Sequence, residues 1–190
     1  MKIVIKIGTS TLTHSTGRTN IRRVADLCRV ISDLKNAGHE IILVSSGAIA
    51  MGVGKLNLST RPSDAPTKQA AAAVGQCELM YIYDRLFAEH NHTVAQLLIT
   101  APDIDDPVRK ENFHNTLERL LAFRVLPIIN ENDTVSTEEL GIGDNDTLSA
   151  TVAASVNADL QVLLSDIDRL YDQAPHITPH ARQIPVVEKL

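Results

Sequence analysis

Two clusters of acid and amide side chains between residues 126 and 149 are the part of this sequence best suited to hold a polar ligand. The first cluster, NEND at residues 130–133, follows a short apolar run that is typical of a buried strand. The second cluster, GDND at residues 143–146, directly precedes small residues that predict a helix. Such groups suit a charged small molecule or a metal ion, although helix caps and turns favour the same residue types.

Two other turns carry groups that could hold an anion. Residues 2–7 (KIVIKI) predict a strand, and Lys6 near its end is followed by GTS at residues 8–10. Residues 40–44 predict a second strand, buried on both faces, which ends in SSG at residues 45–47. Hydroxyls, backbone N–H groups and an ammonium are the components of a phosphate or carboxylate cradle. The structural alternative for Lys6 is an edge-strand lysine whose head reaches solvent.

The predicted elements that would position these groups alternate between strand and helix. Residues 52–67, which contain two glycines and two prolines, are predicted to form a loop or lid. The alternation predicts a single α/β domain, a three-layer αβα sandwich with a mainly parallel central sheet. Ligands of such sheets bind at the carboxyl ends of the strands, so the polar clusters should meet at one edge. Strands are predicted at 2–7, 40–44, 93–99, 125–129 and 159–164, and helices at 20–37, 67–86, 107–123 and 147–157.

Composition argues against several classes of function. The 190 residues carry a net charge of −5, contain no basic block and are only 3% aromatic, which argues against a nucleic-acid partner. No apolar run reaches the roughly 18 residues of a membrane span, and the apolar N-terminus is too short for a signal peptide. We therefore expect a cytoplasmic protein with no membrane partner.

Four polar or thiol side chains in the predicted helices have plain structural interpretations. Cys28 and Cys77 lack metal-ligand spacing and are predicted to be buried thiols in a reducing compartment. Lys68 and Gln76, in the helix at 67–86, are predicted to face solvent.

Phosphoryl transfer fits these residues better than hydrolysis. None of the seven histidines lies at a predicted strand end where it could serve as base or nucleophile. Phosphoryl transfer instead needs positioning and neutralisation of charge, which a lysine, backbone amides and carboxylates provide. An amino-acid acceptor would place its ammonium at Asp133 and a carboxylate near Ser46.

Six segments in order along the chain resemble the glutamate 5-kinase family of the amino-acid kinase superfamily. They are VIKIGTSTL, VSSGAIAMG, KQAAAAVGQ, PIINENDTV, GDNDTLSA and LLSDIDRLYD, and they cover essentially the whole chain. The resemblance implies the amino-acid kinase fold and phosphorylation of the γ-carboxylate of L-glutamate by ATP with Mg²⁺, the first step of proline biosynthesis. It also implies feedback inhibition by proline and assembly into a homo-oligomer.

The resemblance also implies roles for individual residues. Ser46, Asp133 and Asn145 would bind glutamate. Lys6 would contact the ATP phosphates and stabilise the transferred phosphoryl group, and Asp146 would orient Lys6. No residue is implied as a direct metal ligand. The remaining implied roles are close backbone approach at Gly8, support of Lys6 by Asp144, nucleotide contacts at Ser165 and Asp166, and a border to the adenine at Tyr171.

The sequence departs from the family pattern in two ways. Arg169 stands where the family usually has glycine. The glycine-rich TGGMxTK-like segment, which supplies a second phosphate-binding lysine, and the PUA domain of many members are not found in these 190 residues. We therefore expect an amino-acid kinase domain over residues 1–190 with a nearly complete glutamate half and an incomplete ATP half.

Two alternatives stay open at this point. One is a non-catalytic remnant that binds glutamate or proline. The other is a related acetylglutamate, aspartate or uridylate kinase, against which the pairing of NEND with GDND argues.

Overall fold

The computed structural model describes residues 1–14, 16, 18–136, 145–167, 170–173, 178 and 180–187. Asp144 and Arg169, for which the sequence raised expectations, lie outside the described residues. Within the described ranges, no helix is both long and apolar enough to cross a membrane.

The described residues form a five-stranded sheet in which every neighbouring pair of strands is parallel. Its order is β3-β4-β2-β1-β5, so β1 lies between β2 and β5 and is not an edge strand. All five carboxyl ends therefore point to the same edge, as the alternating pattern predicted. The strands are β1 (Lys2–Ile7), β2 (Glu40–Ser45), β3 (Val94–Ile99), β4 (Leu126–Glu131) and β5 (Leu160–Leu164).

Helices cover both faces of the sheet and confirm the three-layer arrangement. On one face Ile5 and Leu43 pack against Leu79 and Tyr83 in one apolar cluster. On the other face β-strand side chains pack against a second cluster that includes Leu117 and Leu148. The helices are α1 (Thr9–Leu12), α2 (Ile21–Asn36), α3 (Ala48–Lys55), α4 (Ala65–Ala88), α5 (Ala101–Asp105), α6 (Pro107–Ala122) and α7 (Asn145–Ser155).

The prediction of an irregular segment at 52–67 is partly wrong. Helix α3 continues to Lys55, and α4 begins at Ala65, where the Asp64 side chain accepts a hydrogen bond from the Thr67 backbone N–H at 2.9 Å. Gly52, one of the glycines that indicated a loop, and Gly75, in the predicted helix 67–86, instead allow two helices to approach closely. A Cβ atom on Gly52 would lie 1.8 Å from the Ala71 carbonyl oxygen, and one on Gly75 would lie 1.7 Å from the Ala48 carbonyl oxygen. Helices α3 and α4 therefore touch through their backbones.

Gly75→Ala is expected to lower the free energy of unfolding by about 1–3 kcal/mol or more, although alanine favours a helix by about 1 kcal/mol. The new methyl group meets the backbone of Ala48 and Gly52, which cannot move aside as a side chain can. Urea unfolding measures the effect. The reverse exchange at the exposed Ala73, Ala73→Gly, should cost only about 1 kcal/mol. A Gly75→Ala protein as stable as the wild type would contradict the tight contact.

The two cysteines differ in exposure. Cys28 is buried in α2, as predicted, and burial raises the pKa of its thiol to about 12. Cys77 is exposed, so the prediction of a buried thiol is wrong there. The buried positions of α4 include Ala72, Gly75, Gln76 and Leu79, and Cys77 lies off that face.

Candidate active site

A cavity of about 210 Å³ lies beyond the carboxyl ends of β2 and β4, and we call it the β2–β4 cavity. Ser46, Asp133 and Asn145, the three residues expected to bind an amino acid, all line it. Ser46 follows β2, Asp133 follows β4 and Asn145 opens α7, two residues earlier than the sequence predicted for that helix. The other lining residues are Thr9, residues 47–50, Arg61, Asn130 and Glu131.

A continuous chain of hydrogen bonds, the amide chain of Gln76, Asn130, Asn145 and Ser46, forms one side of this site. The Asn145 side-chain amide donates to Ser46 Oγ at 2.7 Å and to Asn130 Oδ1 at 2.9 Å. Asn130 Nδ2 in turn donates to Gln76 Oε1 at 3.0 Å. The amide chain thus joins β2, β4, α4 and α7, four elements that are far apart in the sequence.

Asp133 lies in an environment that disfavours its charge. Burial and, to a lesser extent, the nearby Glu131 carboxylate together raise the pKa of its carboxyl to about 6, against the opposing effect of the Arg61 guanidinium. A cation next to Asp133 would restore the charged form, because an opposite charge at short range lowers a carboxyl pKa. The site is therefore suited to an ammonium group.

Lys6 is buried on an interior strand of the sheet and is paired with an acid. Its Nζ lies 2.5 Å from Asp146 Oδ1, and the residue is only 6% exposed. The alternative of an edge-strand lysine with its head in solvent is therefore wrong, because β1 is flanked by β2 and β5. The Asp146 side chain is 45% exposed, so the pair lies between the core and the open edge.

Gly8 leaves space beside the Lys6 ammonium. A Cβ atom at this position would lie 3.6 Å from Lys6 Nζ and 3.4 Å from the Leu164 carbonyl oxygen. The Gly8 backbone N–H donates to that carbonyl at 3.1 Å, so this N–H is already engaged in tying β1 to β5. This N–H is therefore not a free donor for a ligand.

A second cavity, of about 590 Å³, opens beside the ends of β1 and β5, and we call it the β1–β5 cavity. Ser165 and Asp166, expected to face a nucleotide, line it together with Ser10, Thr11 and Arg23. Thr9 lines the β2–β4 cavity while its neighbour Ser10 lines this one, so the start of α1 lies between the two cavities.

One expected nucleotide contact lies apart from this group. Tyr171 forms an isolated bridge with Gln183 and is not among the residues that line the β1–β5 cavity.

Two residues of the site were not predicted from the sequence. Gln76, expected to face solvent, is 7% exposed and belongs to the amide chain. Its spacing from the buried Ala72, Leu79 and Tyr83 is helical, which is the signal that could have placed it on the inner face of α4. Arg61 comes from the segment between α3 and α4, where no periodicity marks its direction.

Sequence comparison identifies the family. The profile of the amino acid kinase family matches residues 1–189. Glutamate 5-kinases of Symbiobacterium thermophilum and Clostridium tetani are 51% and 52% identical over 186 and 188 residues, 98% and 99% of this chain and 71% and 70% of theirs. The chain belongs to the amino acid kinase family and, within it, to the glutamate 5-kinases. The resemblance in the six sequence segments is confirmed.

The chain covers different shares of its relatives. A glutamate 5-kinase of Caldanaerobacter subterraneus is 52% identical over 189 residues, which are 100% of this chain but 51% of that protein. This glutamate 5-kinase chain therefore spans between about half and about 70% of the length of these curated relatives.

Solved structures of two other kinases share the fold. An isopentenyl phosphate kinase in complex with its substrate matches 96% of this chain and 78% of its own with a TM-score of 0.66 and 17% identity. UMP kinase from Ureaplasma parvum matches 95% of this chain and 73% of its own with a TM-score of 0.59 and 16% identity. At this identity the likeness supports the fold alone, and it confirms the predicted α/β architecture.

Proposed function

We propose that the protein carrying this chain transfers the γ-phosphoryl group of ATP to the γ-carboxylate of L-glutamate, which yields L-glutamyl 5-phosphate for proline biosynthesis. The observation that carries the proposal is the cavity lined by Ser46, Asp133 and Asn145 beside the Lys6–Asp146 pair. The relatives at about 50% identity named glutamate 5-kinase support the same reaction.

The β2–β4 cavity contains complementary groups for glutamate. The substrate's ammonium pairs with the Asp133 carboxylate, whose charge is otherwise disfavoured by burial. The Ser46 hydroxyl and the Arg61 guanidinium, both in the cavity wall, offer a hydrogen-bond donor and a positive charge to its carboxylates. One amino acid with two carboxylates thus finds a partner for each charged group.

The reaction requires charge neutralisation and alignment. An oxygen of the glutamate γ-carboxylate attacks the γ-phosphorus of ATP, a new O–P bond forms, and the bond to the bridging oxygen breaks as ADP leaves. A carboxyl with an ordinary pKa of about 4.3 is already ionised at neutral pH, so no general base is needed. The Lys6 ammonium stabilises the negative charge on the transferred phosphoryl group, and Asp146 holds that ammonium in place.

The β1–β5 cavity is the proposed nucleotide side. Ser10, Thr11 and Ser165 provide hydroxyls and Arg23 a positive charge, groups that fit a phosphate chain. Among the residues that the structure describes, no three His, Cys, Asp or Glu side chains gather closely enough to hold a metal ion. Mg²⁺ bound to ATP phosphates would supply further charge neutralisation.

The KM for glutamate is expected to rise about tenfold between pH 7 and pH 5, because each pH unit below a pKa removes about nine-tenths of the charged form. The raised pKa means that the folded protein keeps the Asp133 proton up to about pH 6, and protonated Asp133 cannot pair with an ammonium. Initial rates across this range measure the effect. Asp133→Asn should bind weakly without this dependence, and a flat wild-type profile would contradict the assignment.

A substrate panel tests the proposal in the full-length protein. ADP release is measured with L-glutamate, N-acetyl-L-glutamate, L-aspartate and UMP as acceptors, and only L-glutamate is expected to support turnover. Preference for another acceptor would overturn the proposed substrate. Glutamate binding without any turnover would favour the non-catalytic alternative, which the Lys6–Asp146 pair argues against.

The proposal extends to three further properties implied by the family. Proline, with its own ammonium and carboxylate, would compete for the β2–β4 cavity as a feedback inhibitor. The protein would assemble into a homo-oligomer and act in the cytoplasm. Competition between proline and glutamate in calorimetry, together with the mass in solution, tests the first two.

A further inference from the structure

Gln76 is a buried polar side chain for which neither the fold nor the proposed reaction yet accounts. It is 7% exposed and lies behind Asn130, outside the wall of the β2–β4 cavity. Its Oε1 accepts a hydrogen bond from Asn130, whereas its Nε2 has no hydrogen-bond partner among the described residues. A buried donor without a partner is costly, so packing alone does not account for a glutamine at this position.

One backbone N–H fixes the direction of every hydrogen bond in the amide chain. The Glu131 backbone N–H donates to Asn130 Oδ1 at 2.9 Å. A backbone N–H can only donate, so Asn130 must turn its oxygen toward Glu131 and Asn145 and its Nδ2 toward Gln76. Gln76 must then present Oε1, which leaves its Nε2 facing away.

The same polarity determines which groups the cavity presents. Asn145 Nδ2 has two N–H bonds, and it donates them to Asn130 Oδ1 and Ser46 Oγ. Its own Oδ1 is thereby left as an acceptor, and Asn145 lines the β2–β4 cavity. Ser46 Oγ accepts one hydrogen bond from Asn145, so its hydroxyl proton remains to be donated. Asn145 Oδ1 can therefore accept a hydrogen bond from an ammonium, and Ser46 Oγ can donate one to a carboxylate. An amino acid requires both.

We propose that Gln76 is a positioning residue for the acceptor substrate, acting through Asn130 on Asn145 and Ser46. Asn130 is 2% exposed, so water cannot easily replace the Gln76 oxygen as the partner of its Nδ2. Without that acceptor, Asn130 has a buried donor with no partner, and its orientation toward Asn145 is no longer enforced. This inference rests on the proposed function, because its readout is the binding of glutamate.

Gln76→Met, of similar length and volume, tests the inference in the full-length protein. The KM and the calorimetric Kd for glutamate should both rise about tenfold, as for one misplaced hydrogen bond, while kcat and the KM for ATP change less than about threefold. Gln76→Leu carries the same expectation, and thus provides the measurement if Gln76→Met does not fold.

Tyr83→Phe is the matched control. It removes a different buried hydrogen bond on the same helix, the 2.9 Å contact between Tyr83 Oη and Ser45 Oγ. It should lower the melting temperature as the Gln76 variants do and leave the KM for glutamate unchanged. If the Gln76 variants lose melting temperature but keep the wild-type KM for glutamate, Gln76 has only a structural role and the inference is overturned.

A double-mutant cycle with Ser46→Ala distinguishes positioning from general loosening. Gln76 and Ser46 make no direct hydrogen bond but are linked through two amides. If Gln76 acts through that chain, Gln76→Met should weaken glutamate binding far less in the Ser46→Ala background than in the wild type. Equal losses in both backgrounds would overturn the inference. A wild-type protein with no glutamate-dependent turnover would overturn both the proposed function and this inference. If the wild type turns over glutamate but the Gln76 variants do not show the expected loss of glutamate binding, only the inference is overturned.

Discussion

Lys6→Met is expected to lower kcat about 10³-fold, the effect of removing a preorganised group that stabilises charge in a transition state. Lys6 is the buried ammonium near the carboxyl end of β1, and its Nζ lies 2.5 Å from Asp146 Oδ1. The Kd for glutamate should change little, because Lys6 is not among the residues that line the β2–β4 cavity. Single-turnover kinetics and calorimetry separate the two effects.

Lys2→Met is the matched control for this experiment. Lys2 lies at the opposite end of the same strand and forms a 2.7 Å ion pair with Glu118. Its loss should have a small effect on stability and none on kcat, since Lys2 lies at the amino end of β1 and lines neither cavity. An equal loss of kcat in both variants would show that Lys6 matters for the strand and not for the reaction.

Asp133→Ala is expected to impair glutamate binding, and Asp146→Ala is expected to impair turnover. Asp133→Ala should weaken glutamate binding about 10²-fold or more, because truncating one partner of a buried charge pair leaves the other without compensation. Asp146→Ala should lower kcat by about 10²-fold, because it removes the carboxylate that holds the Lys6 ammonium in place. The KM for glutamate should rise strongly in the first variant and by less than about threefold in the second.

The architecture could be predicted because its signals are local. β-Branched and aliphatic runs separated by helical periodicity predicted each strand of the sheet. The convergence of Ser46, Asp133 and Asn145 followed from one topological rule, that parallel strands share a carboxyl edge.

The order of the strands could not be predicted in this way. Whether Lys6 lies on an edge strand or in the middle of the sheet depends on which strands pair with β1, a long-range property. Because β1 has a neighbouring strand on each side, Lys6 is a buried ammonium with an acidic partner and not the solvent-exposed lysine that was considered as the alternative.

Residues with weak local signals were misassigned for a related reason. A glutamine in a helix usually faces water, and only the approach of Asn130 from another element makes Gln76 a buried partner. Gly52 indicated a loop, but close contact between α3 and α4 requires it. In each case the deciding neighbour is more than 15 residues away in the sequence.

The central claim is that Asp133 holds the acceptor while Asp146 serves Lys6, and calorimetric titration of L-glutamate without nucleotide tests it most directly. The wild type, Asp133→Ala and Asp146→Ala are compared in the full-length protein at pH 7.5 or above, where Asp133 is charged in view of its pKa of about 6. We predict that Asp146→Ala binds glutamate within about threefold of the wild type and that Asp133→Ala shows no measurable binding. If Asp146→Ala lost glutamate affinity as severely as Asp133→Ala, the assignment of separate roles to the two carboxylates would be wrong.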